Sequence, residues 1–229
     1  MALPEEAGAL ARRLHRTANS THPLELLEGE MEGASVALAI CGMGKVASAM
    51  ATQLLCDTRT PRAVISVGLA GGTGDDDLGG VIVAAGAVQH DFDARPLARS
   101  RGLIPGFGGP TFLADKALAA ALLQAARAEV EDAAELRTGL VLTGDQIITS
   151  TSVRNSLLSE FPGGVCFDME TAAVAQVAER NSVAWGGLRV TSDAADETFE
   201  SDDVLAFGAG AAAGLFERII RRLMTDLDR

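Results

Sequence analysis

Two acidic stretches roughly twenty residues apart carry the chemistry this chain could do. They are Val165-Cys166-Phe167-Asp168-Met169-Glu170-Thr171-Ala172-Ala173 and Leu188-Arg189-Val190-Thr191-Ser192-Asp193. In each, an apolar run of strand character ends in acidic residues, and small alanines are then expected to open a helical pattern. In open α/β sheets ligands bind in the crevice beyond the carboxyl ends of the strands, so two acidic strand ends point to one site. Two carboxyl groups in one site can divide the work. One, protonated, gives its proton to a leaving group; the other, ionised, steadies positive charge or holds hydroxyl groups. The competing reading is that Asp193 and Glu170 merely cap strand ends.

Those strand ends need a scaffold. Residues 4–16 read as a helix: Pro4 suits a first turn, Glu5 and Glu6 complement the dipole, and Ala7, Leu10 and Leu14 share a face. A parallel α/β fold normally places a strand before such a helix; Met1-Ala2-Leu3 alone is left to serve, so the first strand is expected to be missing. A polar loop through Asn19-Ser20-Thr21-His22-Pro23 leads to Leu24-Glu25-Leu26-Leu27 and then a strand over 35–41. That strand enters Gly42-Met43-Gly44-Lys45-Val46-Ala47, and a helix follows. Gly42 and Gly44 could bring backbone N–H groups to an anion, the logic of dinucleotide motifs, yet no acidic residue follows at the expected distance.

The strand 63–67 is expected to stop at Gly68-Leu69-Ala70-Gly71-Gly72-Thr73-Gly74, where the glycines mark either backbone approaching a ligand or a flexible loop. Asp75-Asp76-Asp77 reads as a solvated acidic turn rather than a metal cluster, because adjacent loop residues point apart. Further strands are expected over 80–84, 139–143 and 183–190, with helices over 114–129 and from a Thr151 or Ser152 cap. Residues 94–110 have loop composition. The last helix is expected to carry Val204, Leu205, Ala211, Leu215, Phe216, Ile219, Ile220 and Leu223 on one stripe.

A chain of 229 residues, 48% hydrophobic and 22% charged, fits one domain over 1–229 with a large core. Its net charge of -12 opposes unassisted binding to nucleic acid or to an anionic membrane. Cys41, Cys56 and Cys166 sit in apolar runs, which favours reduced core thiols and a cytoplasmic location. There is no signal-peptide pattern, no membrane-length apolar run, no metal-ligand spacing and no cofactor motif.

Seven short motifs in collinear order now make a family resemblance. They are Gly42-Met43-Gly44-Lys45-Val46, Gly68-Leu69-Ala70-Gly71-Gly72, His90-Asp91-x-Asp93, Ile104-Pro105-Gly106, Thr143-Gly144-Asp145, Asp168-Met169-Glu170 and Thr191-Ser192-Asp193-x-x-Asp196. Through them the sequence resembles the nucleoside phosphorylase/nucleosidase superfamily and, within it, the 5′-methylthioadenosine/S-adenosylhomocysteine nucleosidases. The resemblance implies a three-layer α/β/α sandwich with a central mixed sheet, a homodimer, and hydrolysis of the N-glycosidic bond of a 5′-thio-substituted adenosine. It implies Asp193 as the acid at purine N7, Ser192 orienting it, Glu170 and Met169 holding the ribose hydroxyls, and Glu6 activating water. Backbone near Ile147 and Ile148 would meet the adenine edge, and Gly71 would lie against the substrate. Phe199 is the candidate for the 5′-substituent pocket, and Phe107 could reach a partner subunit's site.

The chemistry suits these residue types independently. Adenine leaves poorly as an anion, so an acid at N7 neutralises charge as the C1′–N9 bond breaks, help typically worth about 10² to 10⁴ in rate. Burial of Asp193 among Val190, Trp185 and neighbouring acids is expected to favour its protonated form. The ribosyl fragment turns cationic, and a carboxylate such as Glu170 stabilises it. Two positions depart from the pattern: Asp168 stands where many relatives have glutamate, and Leu69 where a serine or threonine is common. Phosphorolysis is the first alternative, but phosphate wants arginine, and Val64-Ile65-Ser66-Val67 carries no charge. A hydrolase for another 6-substituted purine nucleoside and an inactive nucleoside-binding relative are the others.

Overall fold

The chain's short apolar runs form a small antiparallel sheet and a larger curved one in the computed structural model, which describes residues 1–16, 24–74, 77–132 and 135–227. The polar loop at 19–23 and Asp75 and Asp76 lie outside those residues. Helix α1 is shorter than its pattern suggests, covering Pro4–Ala11. It ends early because His15 and Arg16 form a short strand, β1 (His15–Arg16), against β2 (Glu25–Met31). Strand β3 (Ala34–Ile40) returns antiparallel to β2 through Glu32 and Gly33, whose φ values of 51° and 84° are those of a two-residue hairpin turn. Met1 and Ala2 run beside the end of β3, their carbonyls accepting from the amides of Cys41 (3.0 Å) and Gly42 (2.9 Å).

The main sheet contains β4 (Ala63–Gly71), β5 (Val81–Gln89), β6 (Thr111–Leu113), β7 (Leu136–Thr143), β8 (Gly164–Asp168) and β9 (Ala184–Asp193), in the order β6-β5-β7-β8-β4-β9. It is mixed: β4–β9, β5–β7 and β7–β8 are parallel, while β4–β8 and β5–β6 are antiparallel. Strand β5 also pairs antiparallel with β9, from Val81↔Val190 to Val83↔Leu188, so the sheet curls until strands β5, β7, β8, β4 and β9 close a ring.

Period-two alternation along β5 supplies both faces. Val81 and Val83 join a core with α1, α3 (Lys116–Glu129) and α7 (Ala213–Leu227), through Leu10, Leu122, Phe216 and Ile219. Ile82 and Ala84 join another with α5 (Thr171–Arg180), through Ala172, Ala175 and Trp185. Helix α2 (Lys45–Arg59) packs outside α5, and α4 (Thr151–Glu160) links β7 to β8. The layers are those expected of an α/β/α sandwich. None of the described helices is long and apolar enough to cross a membrane.

Two expectations are corrected. Strand β4 does not stop at Gly68: Gly68, Leu69 and Ala70 stay paired with Arg189, Val190 and Thr191. The glycine is there because a Cβ on it would lie 2.3 Å from Arg189 Nη1 and 2.8 Å from Glu6 Oε1. Nor is the last helix one stripe. It divides into α6 (Ser201–Phe207), a π turn over Gly208–Ala212, and α7. The π turn shifts the helical phase, so Phe216, Ile219 and Leu223 are buried while Leu205 and Ala211 are exposed.

Candidate active site

The carboxyl ends of β4, β8 and β9 open into one cleft, closed at its sides by the start of α1, the segment after β7 and α6. Its sugar-sized corner is built on a buried ion pair. The Asp168 carboxylate accepts from Arg189 Nη2 (2.6 Å), Thr171 N (2.9 Å), Thr171 Oγ1 (2.5 Å) and Thr143 Oγ1 (2.5 Å). Arg189 also donates to Ser66 Oγ at 2.7 Å and to Thr171 Oγ1 from two nitrogens. A guanidinium and a carboxylate taken wholly out of water are tolerable because the donors and acceptors around them are matched.

Glu170 stands on this base as the N-cap residue of α5. Its Oε1 accepts from the amide of Gly44 (2.8 Å), and its Oε2 lies 3.9 Å from Arg189 Nη2. Burial first and then the neighbouring Asp168 push the Glu170 carboxyl up to about 7, against the pull of Arg189 and the Gly44 amide. Gly44 reaches it from φ 97°, a conformation suited to glycine. The next amide, Lys45 N, donates to Asp145 Oδ1 (2.8 Å), and Lys45 Nζ pairs with Asp91 (2.6 Å). The glycine turn that sequence alone could assign to an external anion therefore serves two of the protein's own carboxylates.

The facing wall is lighter. Asp193, at the end of β9, accepts from Ser192 Oγ on Oδ2 (2.8 Å) and from the Ala195 amide on Oδ1 (2.9 Å). Expected burial against Trp185 is not found: Trp185 sits at the opposite end of β9 in the α5 core, and Asp193 is partly exposed. Gly71 comes so close that a Cβ would be 3.2 Å from both Asp193 Oδ1 and Ala195 Cβ. Ile147 and Ile148 follow β7 on the same side, the first half exposed and the second buried.

Glu6 closes the third side. Its Oε2 accepts from the amides of Ala2 and Leu3 (both 3.0 Å) and its Oε1 from the amide of Leu69 (2.8 Å), which occupies three of about four acceptor positions. The Leu69 side chain turns away to the π turn, where a Cβ on Gly208 would meet it at 3.0 Å. Phe199, Met169 and Ser192 line the cleft with the residues above. Phe107 does not: it packs edge-on against Phe112 at 5.2 Å, with Arg180 4.0 Å above its ring.

Sequence reading overlooked Met43, Gln146 and Val204 on the cleft wall and the role of Arg189 behind it. A charged residue inside an otherwise apolar strand was the available signal for Arg189. No such signal marks Val204, which owes its place to the π turn.

Comparison with known proteins bears on this geometry. A family described as the phosphorylase superfamily matches residues 1–224. The 5′-methylthioadenosine/S-adenosylhomocysteine nucleosidase of Anoxybacillus flavithermus is 30% identical over 196 residues, 85% of this chain and 83% of that protein. The crystal structure of the corresponding Neisseria meningitidis nucleosidase, in complex with methylthio-immucillin-A, has a TM-score of 0.89 and 27% identity over 98% of this chain and 96% of its own. The enzyme of Colwellia psychrerythraea, in complex with adenine, has a TM-score of 0.84 and 26% identity over 99% and 93%.

Proposed function

The chain belongs to the phosphorylase superfamily and, within it, to the 5′-methylthioadenosine/S-adenosylhomocysteine nucleosidases, and on that premise we propose that it hydrolyses the N-glycosidic bond of those nucleosides, releasing adenine and the thioribose product. Asp193 gives a proton to N7 while the electron pair of the C1′–N9 bond passes to the base. Ser192 holds the donor's carboxyl, and Ile147 and Ile148 border the base with Gly71 beneath it. Glu170 and Met169 hold the ribose hydroxyls, and the ionised Glu170 stabilises the sugar cation. A water that loses its proton to Glu6 then adds to C1′. Phe199 borders the 5′ substituent.

The single observation that carries hydrolysis over phosphorolysis is the state of the cations. Arg189 is engaged by Asp168, Ser66 and Thr171, Lys45 by Asp91, and the amides of Gly44 and Lys45 by Glu170 and Asp145. A phosphate would have to displace these partners. The test is adenine release from 5′-methylthioadenosine with and without phosphate, with the sugar product identified. Free methylthioribose in both buffers is expected; a sugar phosphate formed only with phosphate would overturn the reading.

The working form is a homodimer of a single-domain chain in the cytoplasm. In its support, Val46 and Met50 on α2, and Met43 just before it, are exposed apolar side chains, at 80%, 50% and 57% exposure. Sedimentation is expected to give about twice the 23.6 kDa chain mass.

A further inference from the structure

The segment after β9 is gripped from outside the cleft by the first turn of α4, and the grip bears on Asp193. Arg154 Nη1 donates to the Ala194 carbonyl (2.6 Å) and lies 3.5 Å from Asp196 Oδ2, with 12% of its side chain exposed. Thr151 adds its amide and hydroxyl to Glu197, at 3.0 and 2.7 Å. Asp196 is itself tied to the hydroxyl and amide of Thr198, which, with Arg154, hold its carboxyl below the usual range.

What the grip maintains is a backbone conformation that a residue with a Cβ does not favour. Ala195 is fully buried at φ 52°, in the left-handed region that residues with a side chain seldom adopt. The Ala194 carbonyl that Arg154 holds and the Ala195 amide belong to one peptide plane, so the same grip aims that amide at Asp193 Oδ1. An amide N–H can only donate, so Oδ1 is held as an acceptor; the Ser192 hydroxyl beside Oδ2 can turn to accept, which leaves Oδ2 as the oxygen able to deliver a proton.

We propose that Arg154 is the positioning residue for the proton donor: by tying the Ala194 carbonyl and Asp196 to α4 it fixes the Ala194–Ala195 peptide plane, and so holds the Asp193 carboxyl with Oδ2 turned to the leaving base. Arg154 itself is not part of the cleft wall. The inference rests on Asp193 being the acid of the proposed reaction, and on nothing else about the substrate.

The test compares Arg154→Leu and Arg154→Lys with wild type, following adenine release from 5′-methylthioadenosine. A small displacement of a catalytic group costs on the order of 10²-fold. Arg154→Leu is expected to lower kcat about 10- to 100-fold with KM within about threefold, and Arg154→Lys to recover most of the loss. A leucine variant with wild-type kcat overturns the proposal. So does a parallel decline of kcat, KM and Tm that lysine does not repair, the mark of a general structural role. If the leucine variant does not accumulate, Thr151→Val, which removes the hydroxyl bond to Glu197 and leaves the amide bond, is expected to lower kcat to a smaller extent at constant KM, and wild-type kcat in it overturns the proposal. Wild-type protein that releases no base from any purine nucleoside removes the reading of Asp193 itself, and is seen before any variant is made.

Discussion

The two acidic strand ends of the cleft are held on opposite terms. At the end of β8, Asp168 and Glu170 rest on a guanidinium with 1% of its side chain exposed, and nearly every polar atom around them has a partner of opposite sense. At the end of β9, Asp193 has one hydroxyl and one amide, supplied by a segment in a strained conformation and tied down from a helix beyond it. The first arrangement is stiff and costly to disturb, because removing any member strands a buried charge. The second is light: neither of the two partners bonded to Asp193 carries a charge. A group that holds the sugar and a group that must give up a proton are thus built differently although each sits at a strand end.

The largest expected effect falls on the lighter wall. Asp193→Asn should lower kcat by about 10² to 10⁴ while adenine-analogue affinity stays within about threefold. Retained turnover would remove Asp193 from the acid role and erase the contrast. On the stiff wall the largest effect is on folding. Arg189→Met leaves Asp168 and Glu170 facing each other without a cation, and should cost about 3–5 kcal/mol in urea denaturation. A loss below about 1 kcal/mol would mean the pair is not holding that corner.

A smaller effect is read through pH. Glu170, raised to about 7 by burial and by Asp168, binds its proton more tightly folded than unfolded. Its stabilising contribution is therefore present in full below the ordinary glutamate range and lost as pH rises through about 7. Wild type should lose stability relative to Glu170→Gln between about pH 5 and pH 8. Activity should run the other way, with kcat/KM falling as the pH drops through about 7, because the ribosyl cation needs the ionised form. Urea midpoints of the two proteins that move in parallel with pH would contradict the assignment.

Much of this was legible in the sequence because the relevant signals are local. Strands β8 and β9, the carboxylates that end them and the alanines opening α5 follow one another within a few residues. The resemblance added Glu6, remote in sequence, and the residues it nominated for the site, Phe107 excepted, lie on the walls of one cleft. What was not legible depends on distant partners. Gly68 looked like a turn because the side chain contesting its space, Arg189, arrives from a neighbouring strand far along the chain. The β2–β3 turn has no Asn-Gly or Asp-Gly signature, since Glu32 takes the left-handed position there. The π turn needs only small residues, Gly208-Ala209-Gly210-Ala211-Ala212, which read equally well as continuous helix. Trp185 could not bury Asp193 because the two stand near opposite ends of β9, a separation that the rise of about 3.3 Å per residue already implies.

The finest test of the contrast is a pair of glycines on the same strand. Neither Gly68 nor Gly71 has a positive φ, so alanine at either position meets only the space beside it. At Gly68 the new Cβ would lie 2.3 Å from Arg189 Nη1 and 2.8 Å from Glu6 Oε1, two side chains already fixed by buried partners. At Gly71 it would lie 3.2 Å from Asp193 Oδ1 and Ala195 Cβ, where a few tenths of an ångström of movement suffice. Gly68→Ala should cost about 1–3 kcal/mol of stability, and Gly71→Ala about 1 kcal/mol or less. The second change should nevertheless depress kcat, because the small movement it demands falls on the proton donor. Urea denaturation and adenine-release kinetics on both variants would show this crossing of effects. If Gly71→Ala proved the more destabilising, the β9 side would be the rigid one and the contrast between the walls would have to be reversed.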